Sequence, residues 1–207
     1  MFINPHDPHA IDRIVAHLTS GELLIIPTET VYGLVADATN PRAIEKMFAL
    51  KKRPKDRPLS VLIADQRWMP QWSSAIPQSA LQLAEAFWPG PLTLIVPKAL
   101  HVLDTLTAHQ PTIGLRVPAH PIALAILQAF QGGLAAPSAN LFSAASAITA
   151  EQAAQYFPKE VWIVKDDVPI LGVASTIIDC TMERPKILRE GVITTKNIVE
   201  KTGIIIV

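Results

Sequence analysis

The chain has 207 residues, with 18 Lys and Arg balanced by 18 Asp and Glu, so its formal net charge at pH 7 is zero. Hydrophobic residues make up 49% and charged residues 17%, which is typical of a packed globular protein and excludes a disordered one. A neutral chain exerts no overall attraction on nucleic acid or anionic lipid, so any such binding has to come from a local cluster.

Helix boundaries are marked by capping residues. A first helix is expected to have Asp7 as its N-cap and Pro8 at its first position, and to end before Gly21. A second helix is expected to open at Asn40 and Pro41. Further helices are expected over 78–87 and about 120–130, with a short one after Thr149.

Short apolar runs between these helices predict the strands. They lie at 23–27, 59–64, 92–96, 113–117, 161–164, 175–179 and 186–189. The alternation predicts a single α/β domain over residues 1–207. Because some strands follow one another with no helix between them, the sheet is expected to be mixed and not purely parallel.

Several features favour an intracellular protein. Cys180 is the only cysteine, which excludes an internal disulfide and fits a reducing compartment. The first residues show no basic segment followed by an apolar run, so no secretory signal is expected. No stretch approaches the roughly 18 apolar residues that a membrane span needs. We expect a cytoplasmic protein with no membrane association.

Common catalytic motifs are absent from the sequence. There is no G-x-x-x-x-G-K-[ST], no G-x-G-x-x-G and no G-x-S-x-G. The histidines are scattered and form no Cys/His cluster, so a zinc site is not expected. Cys180, with no evident histidine partner, is interpreted as a core residue. An enzyme built from this chain is therefore expected to work by positioning and charge neutralisation.

Residues 51–57, KKRPKDR, concentrate five basic side chains in seven positions. Lys51 and Lys52 lie at a predicted helix C-terminus, where cations stabilise the helix dipole and need no functional explanation. Arg53 and the charges after it lie beyond the helix, where that explanation weakens. Three interpretations stay open at this point: a nucleic-acid patch, a small-anion site, and a solvated helix end.

Further polar clusters follow the ends of apolar runs. In PTETVYG, Thr28, Thr30 and Tyr32 alternate and would project to one side of an extended segment, or the segment is simply a strand end with a turn. Arg116, inside TIGLRVP, faces either a solvated sheet surface or an anionic ligand. The remaining clusters are APSAN with Ser138 and Asn140, and ASTIID with ILREG, which place Ser175, Thr176 and Arg189 on successive strands.

The order of these motifs resembles one family. PTETVYGL, K-x-R-P followed by P-L, FWPGPLT, GLRVP, APSAN, STIID and ILREG occur between about residues 10 and 193 and resemble the YrdC/TsaC family. Its members are L-threonylcarbamoyladenylate synthases. The resemblance implies the YrdC-like fold, a twisted mixed α/β sheet that is flanked by helices and has a concave basic face.

The resemblance also implies a reaction, in which L-threonine, bicarbonate and ATP give threonylcarbamoyl-AMP and pyrophosphate. This is the first step of threonylcarbamoyladenosine modification of ANN-decoding tRNAs. It implies a nucleotidyltransferase that uses Mg²⁺ with ATP, without an organic cofactor or a metal ligated by the protein itself. The product would pass to a tRNA threonylcarbamoyl-transfer complex (TsaD/TsaB/TsaE-like in bacteria), and weak tRNA binding is possible within this scheme.

The resemblance assigns roles to individual residues. The residues that match the catalytic motifs are Lys51, Arg53, Ser138 and Asn140. Those expected at threonine are Thr30, Tyr32, Arg116, Ala136 and Ser175. Those expected at the nucleotide are Arg53, Arg57, Thr112, Ser138, Ser146 and Arg189.

The sequence departs from the family pattern at a few positions. Val35 stands where the family usually has Gly, and Arg57 and Leu62 stand where it often has Asn and His. The loop after Asn140 lacks the common S-G. One alternative is a double-stranded RNA- or tRNA-binding protein of the same fold without synthase activity. Another is a relative that has lost this activity, although the retained K-x-R and S-A-N motifs argue against it. The chain ends without the extensions of larger relatives, so a compact synthase is expected.

Overall fold

The computed structural model describes residues 1–168 and 170–207. In that part of the chain the strands are β1 (Phe2–Ile3), β2 (Leu24–Ile26), β3 (Gly33–Asp37), β4 (Ser60–Leu62), β5 (Leu92–Pro97), β6 (Thr112–Arg116), β7 (Leu134–Ala135), β8 (Trp162–Val164), β9 (Thr176–Asp179) and β10 (Lys186–Arg189). The α-helices are α1 (Ala10–Thr19), α2 (Pro41–Lys51), α3 (Gln78–Phe87), α4 (Asp104–Thr107), α5 (Pro121–Phe130), α6 (Ala150–Tyr156) and α7 (Thr195–Thr202). A 3₁₀ helix covers Gln66–Gln71.

The strands form one mixed sheet in the order β1-β8-β2-β3-β7-β4-β6-β5-β9-β10. Four neighbouring pairs are parallel: β1 with β8, β8 with β2, β4 with β6, and β5 with β9. The other neighbouring pairs are antiparallel. The mixed α/β sheet predicted from the alternation of elements is therefore confirmed.

Each face of the sheet has its own apolar core, because successive side chains of a strand point to opposite faces. On one face Ile25 and Val61 belong to a cluster that includes residues of α2 and α3. On the other face Leu24 and Ile26 pack with residues of α1 and α5. The sheet is thus sandwiched between two helical layers.

The helix boundaries follow the capping residues in most places. Asn40 caps α2 through its side chain, which accepts from the backbone N–H groups of Arg42 at 3.0 Å and Ala43 at 3.2 Å. The expected start of α1 is wrong: the helix begins at Ala10, after His9 in a left-handed conformation. Asp7 instead accepts from the Asn4 side chain at 2.8 Å, in a turn that precedes the helix.

Within the described residues, six elements were not predicted from the sequence. They are β1, β3, β7, α4, α7 and the 3₁₀ helix at Gln66–Gln71. Two of them, β1 and β7, have only two residues each, too few for a periodic pattern. Among the described residues, no helix is both long and apolar enough to cross a membrane.

Candidate active site

A polar pocket opens on the sheet face that α1 and α5 partly cover. We call it the arginine pocket, and the charged and hydroxyl side chains in its wall include Thr30, Arg53, Arg116, Ser138, Ser175 and Arg189. Ala136 and Ser146 line it as well. Eight of the residues assigned by the resemblance therefore meet at one place, although they are spread over 160 positions of the chain.

Strand periodicity explains why polar residues reach this pocket. Leu62, Thr93, Arg116 and Ile177 line the wall. Their sequence neighbours Val61, Leu94, Leu115 and Ile178 point the opposite way into the apolar core. The floor of the pocket thus consists of alternate side chains from β4, β5, β6 and β9.

Arg116 is buried, with only 7% of its surface exposed, and it faces the pocket and not open solvent. Its Nε donates to the Gly90 carbonyl at 3.1 Å and its Nη2 donates to Thr30 Oγ1 at 3.0 Å. Glu29 Oε1 lies 2.8 Å from Nη2 and forms a buried ion pair with Arg116, without the alignment of a hydrogen bond. Of the two readings left open for Arg116, this placement excludes a solvated sheet surface; the guanidinium faces the pocket, and Glu29 offsets part of its charge.

Arg53 lines the pocket from the segment that follows α2. Its Nε donates to the Arg57 carbonyl at 3.2 Å and its Nη2 donates to the Pro58 carbonyl at 2.9 Å. Its guanidinium lies 5.7 Å from the ring centroid of Phe142, within cation–π range. Burial lowers the pKa of Arg53, and the nearby charge of Arg57 lowers it further. An anion beside Arg53 would offset both effects.

Arg189 and Ser175 form a second polar wall. Arg189 donates from Nε and Nη2 to the Ser175 carbonyl at 3.0 and 2.8 Å, and from Nη2 to Ser175 Oγ at 3.2 Å. Ser175 Oγ also lies 2.9 Å from Thr93 Oγ1. Burial lowers the pKa of Arg189, and the charge of Arg116 adds to the shift. The two guanidinium groups therefore repel each other across the pocket.

Lys51 does not line the pocket but supports the loop that does. This side chain is 1% exposed, and its Nζ donates to the backbone carbonyls of Ser138 at 2.6 Å and Asn140 at 2.5 Å. The Phe142 N–H donates to the Lys51 carbonyl at 3.0 Å, so three hydrogen bonds join the loop to the end of α2. Burial lowers the pKa of Lys51 from 10.5 to about 8, with a smaller effect from Arg53.

Asn140 also acts within this loop. Its Nδ2 donates to the carbonyls of Leu141 at 2.8 Å and Ala144 at 2.7 Å, and its Oδ1 accepts from Ser138 Oγ at 2.5 Å. These contacts match the turn-forming interpretation of APSAN. Ser138 lines the pocket wall, and its position is fixed by hydrogen bonds to Lys51 and Asn140, which do not line it.

Three further residues assigned by the resemblance lie outside the pocket wall. The segment 28–32 is bent and not extended. Thr28 and Thr30 both line the pocket, whereas Tyr32 does not, and its hydroxyl donates to the Asp166 carbonyl at 3.4 Å. Arg57 is exposed, beyond Arg53. Thr112 lies four residues along β6 from Arg116, which corresponds to about 13 Å.

Four residues near the site carry no role from the sequence analysis: Thr28, Glu29, Ser60 and Thr93. Thr28, Ser60 and Thr93 line the pocket, whereas Glu29 lies behind Arg116. Thr28 and Glu29 belong to the motif PTETVYGL and Thr93 belongs to FWPGPLT, so their membership in these motifs could have indicated a place near the site. Ser60 lies in no motif, and its position in a predicted strand indicates a site residue only weakly.

The wall of the pocket has a strongly one-sided charge. Arg53, Arg116 and Arg189 line it, and no Asp or Glu from the described ranges does so. Serine and threonine hydroxyls fill the space between the arginines. Guanidinium groups bind carboxylate and phosphate through paired N–H donors. The arrangement therefore suits a ligand with more than one anionic group.

Comparison with known proteins identifies the family. A family model for Sua5/YciO/YrdC, described as telomere recombination, matches residues 16–191. This chain belongs to the Sua5/YciO/YrdC family. It is similar to the threonylcarbamoyl-AMP synthase of Pyrococcus abyssi, with 38% identity over 92% of this chain and 57% of the relative. It is also similar to that of Bacillus subtilis, with 39% identity over 95% of this chain and 57% of the relative.

A solved structure of the Sua5/YciO/YrdC family agrees with the fold. The crystal structure of P. abyssi Sua5 complexed with L-threonine matches with a TM-score of 0.94 and 36% identity, covering 100% of this chain and 62% of that one. The chain thus spans 57% of the length of each of the two curated relatives that it matches. The YrdC-like fold expected from the motifs is confirmed.

Proposed function

We propose that this protein is an L-threonylcarbamoyladenylate synthase, which converts L-threonine, bicarbonate and ATP to threonylcarbamoyl-AMP and pyrophosphate. The observation that carries the proposal is the arginine pocket, in which three guanidinium groups and several hydroxyls meet without a carboxylate in the wall. The similarity to relatives named threonylcarbamoyl-AMP synthase and to a structure complexed with L-threonine supports it.

The substrates divide between the two sides of the pocket. Arg116, held beside Thr30, would bind the threonine carboxylate, with Ala136 and Ser175 near it. Arg53, Arg189 and Ser138 would bind the ATP phosphates, with Ser146 at the nucleotide. In this scheme Lys51 and Asn140 would act indirectly, by holding the loop that carries Ser138.

The reaction would proceed in two bond-forming steps. Bicarbonate takes up a proton and loses water to give CO₂. The amine nitrogen of threonine then bonds to the carbon of CO₂ and loses a proton, which gives a carbamate. A carbamate oxygen then bonds to the α-phosphorus of ATP, while the bond from that phosphorus to the bridging oxygen breaks and pyrophosphate leaves. Neither step needs a protein nucleophile, and alignment with charge neutralisation by arginine supplies the catalysis.

Mg²⁺ would accompany ATP in this reaction. It prefers oxygen ligands and is usually held by substrate phosphates together with one or two carboxylates. In residues 1–168 and 170–207, no group of three or more His, Cys, Asp or Glu is placed to share a metal ion, and the only side-chain oxygens in the pocket wall are hydroxyls. We infer that the ATP phosphates would mainly hold the ion. The product would then pass to a tRNA threonylcarbamoyl-transfer complex.

The direct test measures pyrophosphate release with threonine, bicarbonate and ATP each omitted in turn. Dependence on all three is expected, and release that does not require threonine would overturn the proposal. Arg53→Ala is expected to lose at least about 100-fold in rate, because a guanidinium that neutralises phosphate charge is removed. Lys52→Gln is the matched control. Lys52 is the basic residue directly before Arg53, its side chain is exposed, and the variant should keep the wild-type rate. A wild-type rate for Arg53→Ala would remove Arg53 from the site.

A further inference from the structure

The turn before β3 contains two buried threonine hydroxyls whose protons can be placed by counting donors and acceptors. Thr28 and Thr30 are 4% and 1% exposed. Thr28 Oγ1 lies 2.6 Å from the Val31 carbonyl and 2.9 Å from Thr30 Oγ1. Arg116 Nη2 lies 3.0 Å from Thr30 Oγ1. A hydroxyl has one proton to donate and two lone pairs to accept with, whereas a carbonyl and a guanidinium each have one possible role.

The Val31 carbonyl fixes the direction of the chain of hydrogen bonds. A carbonyl can only accept, so the Thr28 proton lies between Thr28 Oγ1 and the Val31 oxygen. Thr28 is then an acceptor toward Thr30, and Thr30 donates its only proton to it. The backbone N–H groups of Thr30 and Val31 share the other lone pair of Thr28 Oγ1 through longer contacts, both at 3.3 Å.

Thr30 is left with accepting capacity alone. One of its lone pairs takes the N–H of Arg116. The second lone pair has no protein donor within the described ranges, and Thr30 lines the arginine pocket. A ligand therefore meets an oxygen that can accept a hydrogen bond and cannot donate one.

We propose that Thr28 is a positioning residue that holds the Thr30 hydroxyl as an acceptor for the α-amine of the substrate. The inference rests on the proposed function. It adds that Thr30 Oγ1 accepts a hydrogen bond from the ligand and does not donate one. In an α-amino acid the amine and the carboxylate share one carbon, so a carboxylate at Arg116 brings the amine to Thr30. An ammonium group donates only, and a neutral amine that donates one N–H to Thr30 keeps its lone pair for attack on CO₂.

The alternative is that Thr28 only stabilises the turn. That role would affect every ligand of the pocket to the same degree, because it would act through the shape of the wall. The positioning role affects ligands that donate through an amine and spares ligands that lack one. L-Threonine and (R)-3-hydroxybutyrate form the required pair, since the second compound keeps the carboxylate, the hydroxyl and the methyl group but has no amine.

The experiment measures the affinities of both compounds for the full chain by calorimetry, in the wild type, Thr28→Ser and Thr28→Val. Serine keeps the hydroxyl, and valine keeps the shape without it. We expect the wild type and Thr28→Ser to prefer threonine by about tenfold or more, the effect of one hydrogen bond. In Thr28→Val we expect this preference to fall at least about fivefold, with little change for 3-hydroxybutyrate.

An unchanged preference in Thr28→Val, or equal weakening of both ligands, would overturn the inference. If Thr28→Val does not fold, Thr30→Val removes the acceptor itself and must lose the same preference for the inference to stand. The proposed function fails separately, when the wild type releases no threonine-dependent pyrophosphate. A wild type that releases pyrophosphate while Thr28→Val keeps its preference for threonine would contradict the positioning role alone.

Discussion

Lys51→Met is expected to destabilise the protein by an amount that increases with pH. Lys51 Nζ donates to the carbonyls of Ser138 and Asn140, and the variant leaves both buried acceptors without this donor. Hydrogen bonds from a charged donor contribute about 1.5–3 kcal/mol each. Against this, the pKa of Lys51 falls from 10.5 to about 8, which corresponds to about 3 kcal/mol lost by burying the ammonium group. At pH 7 the cost of burial offsets half or more of the two hydrogen bonds, and a net loss of about 0–3 kcal/mol is expected for Lys51→Met.

The pH dependence follows from the direction of the pKa shift. Between pH 8 and 10.5 the unfolded chain binds a proton at Lys51 that the folded protein has released. The contribution of Lys51 to stability therefore rises with pH in this window and is smallest below it. A neutral amine keeps two N–H groups, enough for both carbonyls. The difference in unfolding free energy between wild type and Lys51→Met should widen by about 2 kcal/mol from pH 7 to pH 9.5.

Urea unfolding of both proteins at pH 7 and pH 9.5 measures this difference. Lys46→Met is the control, because Lys46 pairs with Glu22 at 2.6 Å with its side chain 48% exposed, so removing it tests a lysine at the surface. A small effect, about 1 kcal/mol or less, is expected there. A difference for Lys51→Met that stays constant or narrows with pH would refute the reasoning, since it would mean that the folded protein keeps the Lys51 ammonium protonated.

Three further tests probe buried groups of the protein, two by substitution and one by chemical labelling. Gly133→Ala should cost about 1–3 kcal/mol in urea unfolding, since the added methyl would overlap the Trp72 ring and lie 2.6 Å from Val61; a neutral result would contradict the tight packing there. Asn140→Ala should cost about 1–3 kcal/mol, because the carbonyls of Leu141 and Ala144 lose their donor. Equal stability would show that water replaces it. Cys180 is fully buried, and burial raises the pKa of its thiol to about 12, so the disulfide reagent DTNB should react with the native protein only as fast as it unfolds. Rapid labelling would disprove the burial.

The sequence was sufficient for the elements with strong local signals. Asn40 and Pro41 determine the start of α2, and the apolar runs locate most strands, because capping and periodicity are local. The strand β3 was missed because the segment before it was interpreted as a strand end with a turn, although Leu34, Val35 and Ala36 form a buried apolar run between β2 and β7. The helix α7 has a local signal in its capping box, Thr194 with Asn197, but Asn at the third helical position is a weaker mark of a helix start than Glu or Gln.

The motifs named many of the residues that line the arginine pocket, but they did not predict where each side chain points. Arg53, Arg116 and Arg189 were recognised because their motifs keep a fixed order along the chain. The direction of a side chain depends on tertiary contacts, and Lys51 illustrates this. Its place two residues before Arg53 suggests a phosphate contact, but its Nζ donates to the backbone carbonyls of Ser138 and Asn140. Tyr32 was assigned from the motif PTETVYGL, and a motif does not determine where a side chain points in a segment that the Thr28 hydroxyl stabilises as a turn.

The wide spacing of the pocket residues along the chain has a consequence for folding. The wall joins Thr30 to the segment before Ser175, where the Gly172 N–H donates to the Thr30 carbonyl at 2.9 Å across about 140 residues. Contacts between such distant segments form late, after shorter loops have closed. A polyanion that binds this wall has little affinity for a half-folded chain. It is therefore expected to slow unfolding while leaving the refolding rate nearly unchanged.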